Sequence, residues 1–190
     1  VEAPMEAEGA AAVMCSRGDV AAVASQDWDT LLYGSPGMVR NLTSHGTRRF
    51  GRVMSAERID LSKTLESHGI TREQLVDLGI MVGTDFHPGI KGIGPKTGLK
   101  LMKKHGTIEA VAEAKGFELP ENLEGIRSLF MEHPVGDEPL PEARRAVEES
   151  LRSFLQEERG FSERRMERAL NRLAEAGRLK SSSQPSLFDF

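Results

Sequence analysis

The chain has a single cysteine, Cys15, among 190 residues. One thiol excludes an internal disulfide and a cysteine-rich zinc site, and it fits a reducing, cytoplasmic setting. No run of apolar residues is long enough to span a bilayer. The opening Val1-Glu2-Ala3-Pro4 lacks the basic segment and apolar stretch of a signal peptide, and it lacks an initiator methionine. It reads as the middle of a longer gene, so a fragment or a processed chain is expected. There is no internal repeat. There is no Walker loop either, because no Lys-Ser or Lys-Thr closes a four-residue spacer between glycines. Nor is there an excess of positive charge: 25 lysines and arginines stand against 29 aspartates and glutamates, a net of −4. Spread evenly, that charge argues against a nucleic-acid partner.

The charge is segregated instead. Lys91 to His105 holds five lysines and no carboxylate, whereas Glu2, Glu6 and Glu8 have no basic neighbour before Arg17. Such a division suits a protein that holds phosphate at one place and metal at another. Hydrophobic residues make up 38% of the chain, enough for a domain with a core.

The first third alternates helix and strand. Pro4–Arg17 reads as a helix stopped by Gly18, and Val20–Ala24 as a short strand. Asp27–Tyr33 reads as a loop entering a short helix. Met38–Leu42 and Phe50–Met54 are expected to pair around the basic loop His45–Arg49. Helices then follow at Asp60–His68, Arg72–Val82, Lys96–His105, Ile108–Lys115, Leu123–His133, Glu142–Glu158 and Ser162–Ala176, punctuated by glycine and proline. Ser181–Ser186 has the composition of a disordered linker.

Three acidic groups stand out: Glu6-Ala7-Glu8 just inside a helix, Asp27-Trp28-Asp29 directly after a strand, and Asp85 just past another helix. Ligand sites in α/β folds lie beyond the carboxyl ends of strands, which is where Asp27 and Asp29 fall. Hard divalent cations take oxygen ligands and tolerate shared carboxylates. Two such ions about 4 Å apart activate water and stabilise the leaving oxygen of a phosphodiester. Residues two apart do not face one way inside a regular element, so such pairs work best at element ends. Each group alone also fits a structural role: Asp27 as a helix cap, Glu6 and Glu8 favouring the positive end of their helix, Asp85 as a turn residue.

Ile90-Lys91-Gly92-Ile93-Gly94-Pro95-Lys96-Thr97-Gly98 has the form of a helix-hairpin-helix turn. Its glycines permit a tight bend, and Pro95 suits a first helical turn. Backbone N–H groups there make an anion nest that takes a DNA phosphate without reading sequence. Lys91, Lys96, Lys100, Lys103 and Lys104 add attraction. At the other end, Gln184, Leu187 and Phe190 are spaced by three, so in a single helical turn they share a face. Leu187 and Phe190 make a two-pronged apolar plug, free to dock elsewhere or to fold back on the core.

Taken together these residues resemble the archaeal-type flap endonuclease family. Val1 to Glu8 is similar to its acidic helix start, and Ser25-Gln26-Asp27-Trp28-Asp29-Thr30-Leu31-Leu32-Tyr33-Gly34 to its second acidic motif. Met38 to Thr43 is similar to the strand that follows there. Gly83-Thr84-Asp85 with Gly92-Ile93-Gly94-Pro95-Lys96 resembles the third acidic position and hairpin, and Gln184 to Phe190 the sliding-clamp motif. The resemblance implies that Glu6, Glu8, Asp27, Asp29 and Asp85 are catalytic metal ligands for two Mg2+ ions, with Mn2+ as a substitute. It implies that Asp27, Asp29 and Asp85 hold one ion while Glu6 and Glu8 act on the other, partly through water. It places Glu6, Gly83, Asp85, Lys91, Gly92, Gly94 and Lys96 against duplex DNA, with K+ at the hairpin. Gln184, Leu187, Phe188 and Phe190 are implied to bind the sliding clamp (PCNA), although the motif ends on one aromatic where a pair is common. The family also has an amino-terminal region with two further aspartates, basic catalytic residues and a helical arch, which this sequence does not supply.

The expected fold is therefore α/β: a partial, mostly parallel nuclease sheet at 1–83, a helical region with the hairpin at 84–178, and a disordered tail at 179–190. The expected function of the full protein is 5′ flap endonuclease and 5′–3′ exonuclease activity in replication and repair, in the cytoplasm, with this chain inactive alone. The rival expectation is a non-catalytic DNA- and clamp-binding module.

Overall fold

The computed structural model describes residues 3–44, 46–49, 51–135 and 144–180. Helix α1 (Ala7–Arg17) starts three residues later than Pro4. It stops where Gly18 turns left-handed at φ 81, with Gly18 N–H donating to Cys15 O (3.1 Å) and Asp19 N–H to Met14 O (3.0 Å). Strand β1 keeps only Val23–Ala24 of the expected run, and the four-residue helix α2 (Asp29–Leu32) follows it.

β1 pairs in parallel with β2 (Gly37–Arg40), and β2 pairs antiparallel with β5 (Glu57–Asp60), so the sheet is mixed, in the order β1-β2-β5. The partner expected for β2, Phe50–Met54, is not the one it takes. Opposite Met38 stands Ile59, and both pack with Leu31, Leu61 and Leu65 in a small core. Arg52 and Val53 are exposed and offer no such burial, so apolar pairing selects β5. The basic segment instead closes on itself as a hairpin of β3 (Arg48–Arg49) and β4 (Arg52–Val53).

Asp60 caps α3 (Leu61–His68), accepting the Lys63 N–H at 3.1 Å. Thr71 and Gln74 form a capping box at the start of α4 (Arg72–Val82). α5 (Pro95–His105), α6 (Ile108–Lys115) and α7 (Leu123–Met131) complete this part, α7 stopping two residues before His133. Ala12, Leu32 and Tyr33 share one core with Ile80, Met102, Ile108 and Phe130, so the α/β elements and the helices after position 83 pack as one body. Asp77 on α4 receives two bonds from Arg127 on α7, from Nε at 2.7 Å and Nη2 at 2.8 Å, and one from the Ile108 N–H of α6 at 3.2 Å. This buried carboxylate has partners on α6 and α7, which is what its burial requires.

The chain divides into two compact units, Val1–Glu138 and Pro139–Phe190. In the second, the single helix expected over 142–158 is instead α8 (Glu148–Arg152) running into a π-helical stretch, Ser153–Glu158. Ala146–Val147 is drawn off as strand β6, parallel to β7 (Leu179–Lys180). Arg152 ties this unit together by ion pairs to Glu148, Glu163 and Glu167, the last two on α9 (Glu163–Glu175). No helix among the described residues is long and apolar enough to cross a membrane.

Candidate active site

Glu6 is the residue before α1. Its backbone is extended and its carbonyl accepts the Ala10 N–H at 3.1 Å, while its side chain makes no cap to the helix. Glu8 follows in the first turn, half-buried. Gly9 lets this acidic end approach the segment just after α7: a Cβ there would lie 2.7 Å from the buried His133 ring. Asp27, three residues beyond β1, accepts the Asp29 N–H at 3.0 Å and so shapes the turn into α2. Asp29 opens α2. Both acidic pairs thus sit at element ends, where two near neighbours in sequence can serve one place.

Asp85 is carried by a loop that only glycine allows. Gly83 (φ 122) and Gly89 (φ 83) cross closely: a Cβ on Gly89 would lie 2.5 Å from the Val82 carbonyl oxygen. Inside the loop, Thr84 N–H donates to His87 O at 2.8 Å and His87 N–H to Thr84 O at 3.2 Å. The exposed Asp85 is left at the tip.

Asp29 registers the others. Burial, then the charges of Asp27, Asp85, Glu8 and Glu6 in decreasing order, push its carboxyl up from 3.8 to about 6. The buried Tyr33 is raised by burial first and then by Glu6, Asp29, Glu8 and Asp85. Carboxylates from three separate segments therefore act on one place. Among the described residues, no three His, Cys, Asp or Glu side chains are grouped closely enough to hold a metal ion as they stand. The donor set is nevertheless all carboxylate oxygen under mutual repulsion. That chemistry fits hard divalent cations, which would relieve the repulsion.

The glycine-rich turn joins α4 to α5. Gly92 takes the left-handed bend at φ 87, and Ile93 N–H closes it onto Ile90 O at 2.9 Å. Gly94 has an ordinary φ of −94 and precedes Pro95, with no side-chain cap on the helix start. A Cβ on Gly92 or Gly94 would meet nothing within 4 Å, so both face open space. Gly83 lines a cavity with Asp27, Asp29 and Lys96, whereas Lys91 is exposed on the turn itself. Gln184, Leu187, Phe188 and Phe190 lie outside the described residues.

A family model described as the XPG I-region matches residues 1–85, the stretch that carries all five acids. A protein from Methanothrix thermoacetophila named Flap endonuclease 1 is 45% identical over 178 residues, 91% of this chain and 53% of its own length. Over nearly its whole length the chain is homologous to flap endonucleases. Among solved structures, the flap endonuclease from Methanococcus jannaschii aligns with a TM-score of 0.73 and 35% identity over 92% of this chain and 52% of that one. A eukaryotic junction-resolving enzyme described as binding caesium aligns at 0.64 and 27% identity, covering 92% of this chain and 53% of the other. The chain spans just over half the length of the flap endonuclease relatives it matches.

Within this candidate site, sequence reasoning passed over two residues. Tyr33, which follows α2, is 4% exposed, its ring against Phe130 and His133. Trp28 stands between the two aspartates, 51% exposed, with the Arg40 guanidinium 4.2 Å from its ring centroid. The one signal for Trp28 was an aromatic interrupting an acidic pair. Nothing in the sequence paired it with Arg40, which comes from the neighbouring strand.

Proposed function

We propose that this chain supplies the second half of the carboxylate site and the duplex grip of a structure-specific nuclease. Its full protein would cleave phosphodiesters at single-strand/duplex junctions, removing 5′ flaps endonucleolytically and trimming 5′ ends. The observation that carries this reading is Asp29: it is held toward its protonated form by burial and by four other acids, beside a lysine-bearing hairpin. Divalent cations, Mg2+ or in its place Mn2+, would supply a polarised phosphodiester oxygen and an acidified water when bound.

The residues of this chain do the rest. Asp27, Asp29 and Asp85 would hold one cation, and Glu6 and Glu8 would reach the other, in part through water. Gly92, Gly94 and Lys91 present the open turn to the phosphate backbone, and Lys96 stands at the start of α5, between that turn and the acids. Gly83 and Asp85 lie against the strand to be cut. A monovalent cation, K+, would sit at the hairpin; a similar junction-resolving enzyme is described as binding caesium. Residues 1–83, 84–178 and 179–190 would then divide by role into nuclease part, duplex-gripping part and clamp tether. Gln184, Leu187, Phe188 and Phe190 would engage the sliding clamp. A DNA substrate places the protein inside the cell.

The second reading, a DNA- and clamp-binding module without catalysis, is favoured for the chain alone by the lack of a ready metal-holding group among the described residues. The purified chain with a labelled 5′-flap duplex and magnesium tests both. Binding without cleavage is expected, because loosely held carboxylates do not position ions for chemistry. Metal-dependent turnover abolished by Asp27→Asn would refute the inactivity of this chain and establish the nuclease reading directly. Absence of any DNA binding would remove both readings.

A further inference from the structure

The exposed indole of Trp28 is out of place for a residue that merely separates two acids. Burying such a ring is worth much to a fold, yet 51% of Trp28 remains in solvent. It lines one side of an apolar cavity of about 650 Å³, with Asp27 and Asp29 beside it and Val82, Gly83, Pro95 and Lys96 lining other parts. Apolar walls reject a phosphate but accept the faces of a flat heterocycle. Arg40, reaching from β2, holds the ring by a cation–π contact at 4.2 Å. The guanidinium covers one face, so the exposure falls on the opposite face and the edge.

We propose that Trp28 is a stacking platform for one unpaired nucleobase of the strand held at the carboxylates, with Arg40 as the residue that fixes the indole plane. This rests on the reading of the site as a DNA nuclease and deepens it. A base inside a duplex already has neighbours on both faces; only an unpaired one has a face to give. Stacking on an aromatic is tolerant of sequence, which suits an enzyme that reads structure. The cationic ends of Arg40 and Lys96 attract the connecting phosphates.

Trp28 is the only tryptophan in the chain, so its emission reports this place alone. The full chain is titrated with a 5′-flap duplex in calcium, with the same duplex whose first flap nucleotide is abasic, and with the flapless duplex. Quenching by the base-bearing flap and little quenching by the abasic one is expected. Trp28→Ala should weaken binding of the base-bearing flap on the order of tenfold or more, leave the abasic flap and flapless duplex nearly unchanged, and be largely rescued by Trp28→Phe. Arg40→Met should reduce the quench. The abasic comparison uses the unaltered protein, so it stands even where a variant folds poorly. Equal quenching by both flaps, or an equal loss on all three DNAs, would overturn the platform while leaving the nuclease reading in place. No binding to any of the three would overturn both.

Discussion

Asp29→Asn should make the fold more stable while weakening its response to magnesium. In the folded chain the Asp29 carboxyl holds its proton to about pH 6, against 3.8 when unfolded. Between those values the native state binds more protons, so native stability falls as pH rises through this window. Below about 3.8 both states are protonated and the penalty is absent; above about 6 it is complete. A gap of about two units corresponds to ~3 kcal/mol, and Asp29 is only half-buried, so solvent screening reduces this to about 1–2 kcal/mol. Against it stands the loss of a negative charge in the first turn of α2, about 0.3–1 kcal/mol. The net gain above pH 6 is then about 1 kcal/mol, or roughly 2–4 °C in melting temperature for a chain of this size. Melting scans of parent and variant across this pH range, with and without magnesium, read all of it. The variant's advantage should be present above about pH 6 and vanish near 3.8. Magnesium should raise the parent's midpoint more than the variant's, because a bound cation relieves the repulsion that asparagine has already removed. An advantage that does not change with pH, or an equal magnesium increment in both proteins, would refute the electrostatic account of this cluster.

Gly89→Ala should lower stability by ~2 kcal/mol or more, since its Cβ would sit 2.5 Å from the Val82 carbonyl at φ 83. Gly92→Ala, with a similar φ but open space, should cost only about 1 kcal/mol by the same melts. Gly94→Val should fold normally, its φ being ordinary and its surroundings empty, yet weaken duplex binding in a gel-shift titration regardless of sequence. Lys96→Ala should lower the log–log salt slope of that binding by about one. Leu187→Ala with Phe190→Ala should abolish sliding-clamp binding at unchanged melting temperature. If the tail packs on its own core, the same change should cost several kcal/mol and leave clamp binding intact.

Most helices were legible because the signals that bound them are local. Thr71 and Gln74 cap α4, Pro95 starts α5, and Gly18, Gly69 and Gly116 take left-handed conformations at helix ends, all readable within four residues. The acids and the glycine-rich turn were legible for the same reason: each is a short string with its chemistry on its face. Strand partners were not. β2 chose Glu57–Asp60 over the nearer Phe50–Met54 because Ile59 could share a buried face with Met38, and such a choice is made by packing across the sheet.

The sequence by itself determined roughly where most helices lie, and which residues carry charge, bend or metal-binding chemistry, because those follow from a residue and its immediate neighbours. Only the tertiary structure decided that Asp29 keeps a proton near pH 6, that Gly9 brings the acidic start of α1 against His133, and that Arg40 lies over Trp28. Each of these depends on a distance between segments far apart in the chain, and electrostatic repulsion, steric clearance and stacking are set by distance in space.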